Sequence, residues 1–425
     1  MGSSVNVRPR ISSALVTWIL FVGAFLSAIA GTAVARSVLG ATLGPLNDDW
    51  FYLAMSQEPM SDPVVLTEWI LREPFSALGA NVQDAWESGG LRLYGQQQNG
   101  LANQPPFAYR VLVPYTVWAL TALGLNWQLA FDLLYALGVG LLGSFAFRLV
   151  SQEGRYPAPG LVVAAALVSM VIATRPDSLY PDAMFMGLSM VAIWALMRNK
   201  PWVFAAVATL TVFTKESGVA LVLAWGVVKW RQRELRPRWI APLVLPITGL
   251  IVPRLIVEVP NSAINLRGLL EQTSGKLWLA VLLTILLLNL SPGAGLAITG
   301  RWHLIDRADR QLVFVGVFLA IGTAAVALSG YRMPLLAAPY FVAASAWGLA
   351  TSRSWLVVPA LSALGYLLFV VVSTTFPGSA LNNGLLPVGV VLFTLMTAFR
   401  SARRDLVLQQ RLKSTARAFN PNEDQ

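Results

Sequence analysis

The sequence predicts an all-α integral membrane protein, a polytopic helical bundle of about 12–13 apolar segments. Three observations predict it. Apolar residues make up 56% of the 425-residue chain and charged residues only 12%, about half the charged share of a soluble domain. The apolar residues come in runs, and the basic residues sit in short blocks between those runs. The 15 tryptophans gather near the ends of the runs, among them Trp50, Trp118, Trp127, Trp202, Trp230, Trp239, Trp278 and Trp355, where a membrane interface favours an amphipathic ring. A soluble fold of this composition could not cover its apolar surface with polar groups. In hydrocarbon the outward face is free to be apolar as well.

Taken in order, the apolar segments fall roughly at 11–35, 108–125, 127–147, 160–174, 183–197, 202–214, 217–230, 240–257, 276–299, 311–329, 334–350, 355–375 and 384–399, by continuous hydrophobicity and length. The first follows Arg8 and Arg10 without a small-residue cleavage site and is expected to be retained as a helix. Residues 1–400 then form one polytopic membrane domain and 401–425 a basic tail. The stretch 36–107 is the one large polar loop. Its segment 64–71 has the apolar spacing of a short helix lying on the membrane surface. Basic residues at the N-terminus, at 229–238 and in the tail (Arg400, Arg403, Arg404, Arg411, Lys413, Arg417) place those three regions on the cytoplasmic side. Loop 36–107 and the turn 175–182 are then extracytoplasmic. Two cytoplasmic termini require an even number of crossings, so either 108–125 or 127–147 is expected to be shallow or re-entrant. Thr214-Lys215-Glu216-Ser217 interrupts 202–230, which predicts two short half-helices meeting at an outer turn.

Several classes are excluded. With no cysteine there is no disulfide and no thiolate metal site, and with His303 as the single histidine there is no histidine cluster. The net charge of +10 follows the positive-inside pattern rather than forming a nucleic-acid patch. The expected surroundings are membrane lipids, with no nucleic acid partner.

Ionisable residues at helix ends or at membrane depth are costly, which makes each a candidate for function. Asp48-Asp49 opens the large loop, just before Trp50-Phe51-Tyr52; the pair suits a general base, a metal ligand or a sugar platform, or else a solvated Asn-Asp turn. Asp177 follows Pro176 and Asp182 follows Pro181 in a short connection leading into an apolar helix, where Asp182 also suits a simple N-cap. Tyr109-Arg110 enters segment 108–125 and Tyr331-Arg332 precedes Pro334; either arginine also suits snorkelling to headgroups. Lys215-Glu216 lies inside a broken apolar pair, and a structural ion pair is the alternative there. Together these outer acids and cations point to one polar site.

The pattern resembles the GT-C superfamily of integral-membrane glycosyltransferases. The resemblance lies in Asp48-Asp49 after the first helix, Asp182 in Tyr180-Pro181-Asp182-Ala183, Thr214-Lys215-Glu216 within a small-residue-rich pair, and Tyr331-Arg332-Met333-Pro334. It spans roughly residues 10–350, and the motif Tyr109-Arg110-Val111-Leu112-Val113-Pro114 is similar to one in bacterial relatives. Glu216 departs from the pattern, which usually has a small residue there. The resemblance implies a GT-C-like bundle in a bacterial inner (plasma) membrane, with transfer of a sugar from a polyprenyl-phosphate-linked donor to an extracytoplasmic acceptor. It implies Asp48 or Asp49 as base, Asp182 orienting acceptor or sugar, and Arg110, Lys215 and Arg332 around the lipid phosphate. Asp177, Tyr109, Glu216 and Tyr331 join the substrate-binding set. A divalent ion, Mg or Mn, held by Asp48, Asp49 and Asp182 is a further expectation, since oxygen ligands suit those ions. Two other classes stand beside this one: a transporter or flippase for a lipid-linked or anionic substrate, and a scaffold subunit without catalysis. Against a transporter stand the lack of an internal repeat and the gathering of the polar residues at one side rather than at the midplane.

Overall fold

The structure is a computed structural model that describes residues 13–39, 52, 56, 110–151, 157–174, 181–231, 237 and 240–256. Described residues form eight α-helices and no strand: α1 (Ser13–Leu39), α2 (Leu112–Ala122), α3 (Trp127–Val150), α4 (Pro157–Thr174), α5 (Asp182–Met197), α6 (Pro201–Thr214), α7 (Val219–Arg231) and α8 (Ile240–Ile256). A short 3-10 turn, Glu216–Gly218, separates α6 from α7. Each helix falls on one of the apolar segments read from the sequence. Most of loop 36–107, the segments from 276 onward and the tail lie outside the described residues.

Two helices, over Ala14–Val34 and Trp127–Val150, are long and apolar enough to cross a membrane by length and composition. Their surroundings differ: 67% of the apolar window of α3 is buried but only 11% of that of α1. Helix α3 is therefore the central strut, against which α1, α2, α4 and α5 pack. Length distinguishes segments 108–125 and 127–147. Helix α2 has 11 residues, about 16 Å at 1.5 Å per residue, against a hydrocarbon core of about 30 Å. It is the shorter of the two. Asn126 ends the turn after it, its side chain accepting from the Gln128 amide at 2.8 Å and capping α3.

Glycines set the close approach of α3 and α5. A Cβ on Gly138 would lie 2.5 Å from the backbone of Ala183 and Met184, and one on Gly187 would strike the Gly138 carbonyl. Further along, Phe145 of α3 meets Trp194 of α5 edge to face at 5.3 Å, so the two helices run in the same direction. Substituting Gly138→Ala is expected to force them apart, at about 1–3 kcal/mol for overpacking, and to displace Asp182, which adjoins Ala183. Gly23→Ala in α1, where a Cβ meets nothing within 4 Å, is the matched control and should leave the thermal midpoint nearly unchanged. Equal shifts for both would contradict a tight α3–α5 contact.

The hairpin of α5 and α6 then fixes what meets at its open end. Helix α5 has 16 residues and α6 has 14, about 24 and 21 Å long. They are joined by the short turn Arg198-Asn199-Lys200, with Asn199 in the left-handed region at φ 56°, which asparagine tolerates. Their shared core is Ala192, Ala195, Leu196, Phe204 and Ala208. Two nearly equal arms bring the end of α6 back to the start of α5. Lys215 thus returns to Asp182 although 33 residues separate them.

Candidate functional site

At that open end the apolar run breaks. Lys215 adopts extended backbone, φ −154° and ψ 136°, and the chain restarts as the 3-10 turn. The break is anchored by Gly218, whose amide donates to the Lys215 carbonyl at 2.9 Å. A Cβ on Gly218 would sit 3.0 Å from the Thr211 backbone, so only glycine lets the turn lie on α6 undisturbed. Successive side chains on extended backbone point to opposite sides. Lys215 accordingly turns toward α5 and Glu216 toward the start of α2.

The Lys215 ammonium donates to a carboxylate oxygen of Asp182, and both side chains are 3% exposed. Glu216 accepts from Arg110 Nε at 3.2 Å, and Arg110 Nη1 donates to the Tyr52 hydroxyl at 2.7 Å. Arg110 is 4% exposed and Tyr52 fully buried. The Tyr52 ring packs with Val113, Val117, Phe131, Met184 and Leu188, so its apolar body belongs to the core and its hydroxyl to the site, as buried tyrosines require. Two ion pairs, Asp182–Lys215 and Glu216–Arg110, carried by α5, the α6–α7 break and the lead into α2, join through the adjacent residues Lys215 and Glu216 into one largely buried cluster.

Its depth follows from contacts. Asp182 adjoins Ala183, which abuts Gly138, the twelfth of the 24 residues of α3. The cluster thus lies level with the middle of α3, and not at one side as the sequence suggests. The other end of the α3–α5 pair is basic: Arg148 lies over the Trp194 ring at 4.5 Å and Lys200 over it at 5.0 Å.

Several expectations are corrected here. Asp182 is not an N-cap; Pro181 holds that position without a side-chain cap, and Asp182 begins the helix. Its carboxylate still profits from the N-terminal dipole, but it accepts from Lys215. Lys215 and Glu216 are ion-paired to residues on other elements rather than to each other, for the backbone reason given. Arg110 does not snorkel, since its guanidinium is engaged in the interior. Asp48, Asp49, Asp177, Tyr109, Tyr331 and Arg332 lie outside the described residues. Among the described residues no group of three or more His, Asp or Glu could hold a metal. A cation at Asp182 would face repulsion from the Lys215 ammonium, and the other two expected ligands, Asp48 and Asp49, lie outside the described residues.

Sequence reasoning misses two residues. Tyr52 reads only as part of an aromatic cluster. Asp132 is buried at 7% exposure inside α3, six residues before Gly138 and so about 9 Å further along the axis. The signal that finds it is an acid within an apolar span, which a search centred on helix ends passes over. Comparisons with protein-family models, curated proteins and solved structures find no match to this chain.

Proposed function

We propose that the chain is a polytopic, GT-C-like membrane glycosyltransferase that moves a sugar from a polyprenyl-phosphate-linked donor to an extracytoplasmic acceptor. The observation that carries this reading is the buried cluster. Four ionisable side chains from three separate motifs meet at one break in an apolar helix pair. Burying four charges costs several kcal/mol per ion before pairing, an expense a purely structural helix end does not need. The basic end at Arg148 and Lys200 supports a cytoplasmic placement for that end, with the cluster about halfway along α3 from it.

In this reading the acids position the cations. Asp182 fixes the Lys215 ammonium, while Glu216 and Tyr52 fix the Arg110 guanidinium from two sides. A cation already held in place lowers the barrier without reorganising during the reaction. The acceptor oxygen attacks the anomeric carbon and the bond from that carbon to the phosphate oxygen breaks. The phosphate leaves with the electron pair toward Arg110 and Lys215. Asp48 or Asp49 takes the acceptor proton. Because Lys215 and Arg110 are each matched by a carboxylate, the phosphate's own charge calls for a further cation, the place that Arg332 takes in the resemblance.

The second reading, a transporter or flippase, is favoured by one specific observation: a discontinuous helix with charged residues at its break, level with the middle of α3. One experiment separates the two. Full-length protein in proteoliposomes is given a polyprenyl-phosphate hexose labelled in the sugar. A transferase moves label to an acceptor and leaves free polyprenyl phosphate, and Asp182→Asn should reduce that release by on the order of 100-fold or more. A transporter moves the intact lipid across the bilayer and releases none. Absence of both processes would remove both readings.

A further inference from the structure

The far end of α5 from the cluster holds a second concentration of charge, all of one sign and open to the surroundings. We propose that this end, where Arg148, Arg198 and Lys200 gather at Trp194, is a seat for an anionic phospholipid, with the lipid phosphate among the cations and the acyl chains along α6. The seat rests on the membrane reading and on neither the transferase nor the transporter.

Phe145 and Trp194 bring the ends of α3 and α5 together. The Trp194 ring carries two cations, Arg148 at 4.5 Å and Lys200 at 5.0 Å, and Arg148 also lies 5.7 Å from the Phe145 ring. The two charges are therefore within about 10 Å of each other, one Debye length at ordinary salt, and they repel. The ring face relieves part of that repulsion, and an anion between the cations relieves more. Arg198 and Lys200 are exposed, so a phosphate reaches them without opening the core. Helices α7 and α8 meet at the same end. Gly226 of α7 lies beside Leu243 near the start of α8, and Leu243 packs on the cluster of Leu196 and Phe204. Residues 148–155, 198–200 and 229–238, which end or join these helices, hold nine cations and only two acids, Glu153 and Glu234. Arg148 and Arg198 have other partners as well, but two acids leave the cations of these segments in excess whichever of them they meet.

The surface beside the cations separates a lipid from a soluble anion. Trp202, Val203, Ala206 and Leu210 are exposed on α6, and their spacing puts them on one helix face. From Lys200 to Leu210 that face rises about 15 Å, one leaflet's share of a hydrocarbon core about 30 Å thick. Trp202 stands at its foot, where an indole suits the headgroup level. Cations below an apolar strip of one leaflet's depth match a phospholipid from head to chains. Basic groups at helix ends attract anionic headgroups, whereas a zwitterionic headgroup brings a cation of its own into the seat.

The test uses full-length protein in neutral detergent, given equimolar phosphatidylglycerol and phosphatidylcholine with identical chains. Native mass spectrometry reads which lipid the protein retains. Wild type should prefer phosphatidylglycerol by about tenfold or more, from two or three cations near one phosphate. The double variant R198Q/K200Q, at exposed positions, should lose about tenfold of that preference. R403Q/R404Q removes the same charge from the basic tail and should leave the preference nearly unchanged. If R198Q/K200Q loses its thermal transition, K200Q alone is read, with a loss of about fivefold expected. Inorganic phosphate at the lipid's concentration should not displace the lipid, because it leaves the α6 face unfilled. Displacement overturns the lipid in favour of a soluble anion. No preference in wild type overturns the seat, and equal losses in the two double variants reduce it to general surface charge and overturn it as well. Neither donor release nor lipid movement enters the readout, so this seat and the proposed function stand or fall separately.

Discussion

Replacing Lys215 with Met is expected to destabilise the protein by about 3–5 kcal/mol, the usual cost of stripping one partner from a buried ion pair. The loss comes less from the bond itself than from the Asp182 carboxylate, left charged at 3% side-chain exposure once its ammonium partner is gone. Asp182→Asn should be comparably harmful, for the mirror-image reason. The double variant, Asp182→Asn with Lys215→Met, removes both charges and should recover most of the stability, because neutral groups of similar volume often substitute for a buried ion pair at little cost. Activity should not return with it. A transferase or transporter that needs the ammonium stays inactive in the rescued double variant, whereas a structural pair gives a protein that is both stable and active. Thermal unfolding in detergent, paired with the donor-release assay, reads both quantities. Additive destabilisation in the double variant would mean that the two side chains do not depend on each other.

That pair also shows how much of this site is legible in the sequence. Asp182, Arg110, Lys215 and Glu216 all stand out for one reason: charge inside or beside apolar runs is expensive. Which charge meets which cannot be read there, because partner choice depends on helix length and on backbone angles at a single residue. Arms of 16 and 14 residues bring Lys215 to Asp182; lengthening one arm by about four residues would place it roughly one turn away. The extended geometry at Lys215 sends Glu216 to Arg110 instead of to its neighbour. The helices themselves are easier to read, since continuous apolar runs fix existence and approximate position. Their roles are harder to see. The brevity of α2 and the burial of α3 arise from packing, and Asp132 escapes notice because its surroundings look like an ordinary apolar helix. Tyr52 escapes for the opposite reason: an aromatic after an acid pair looks like surface, and only its seat among Val113, Phe131 and Met184 makes its hydroxyl part of the interior.

The second large effect concerns Arg110, whose value lies in its shape. Its Nε and Nη1 reach two different groups, Glu216 at 3.2 Å and Tyr52 at 2.7 Å. A planar guanidinium offers donors in several fixed directions at once, and a lysine ammonium is a point charge on a flexible stem. Arg110→Lys keeps the charge of the cluster but cannot serve both partners, so it should lose at least one hydrogen bond to a charged group, about 1.5–3 kcal/mol. That corresponds to roughly 10- to 150-fold in donor affinity or rate if the cation contacts the lipid phosphate. Tyr52→Phe provides the internal check. In wild type it removes the same hydroxyl contact and should weaken stability and donor binding. In the Arg110→Lys background the ammonium is expected to stay with the Glu216 carboxylate and leave the Tyr52 hydroxyl, so there Tyr52→Phe should add little. A coupling energy of about 0.5–3 kcal/mol between the two positions is the expected result, measured as the failure of the two effects to add. If Arg110→Lys is silent and Tyr52→Phe costs the same in both backgrounds, the guanidinium holds neither partner in a way that matters, and the arginine contributes only its charge.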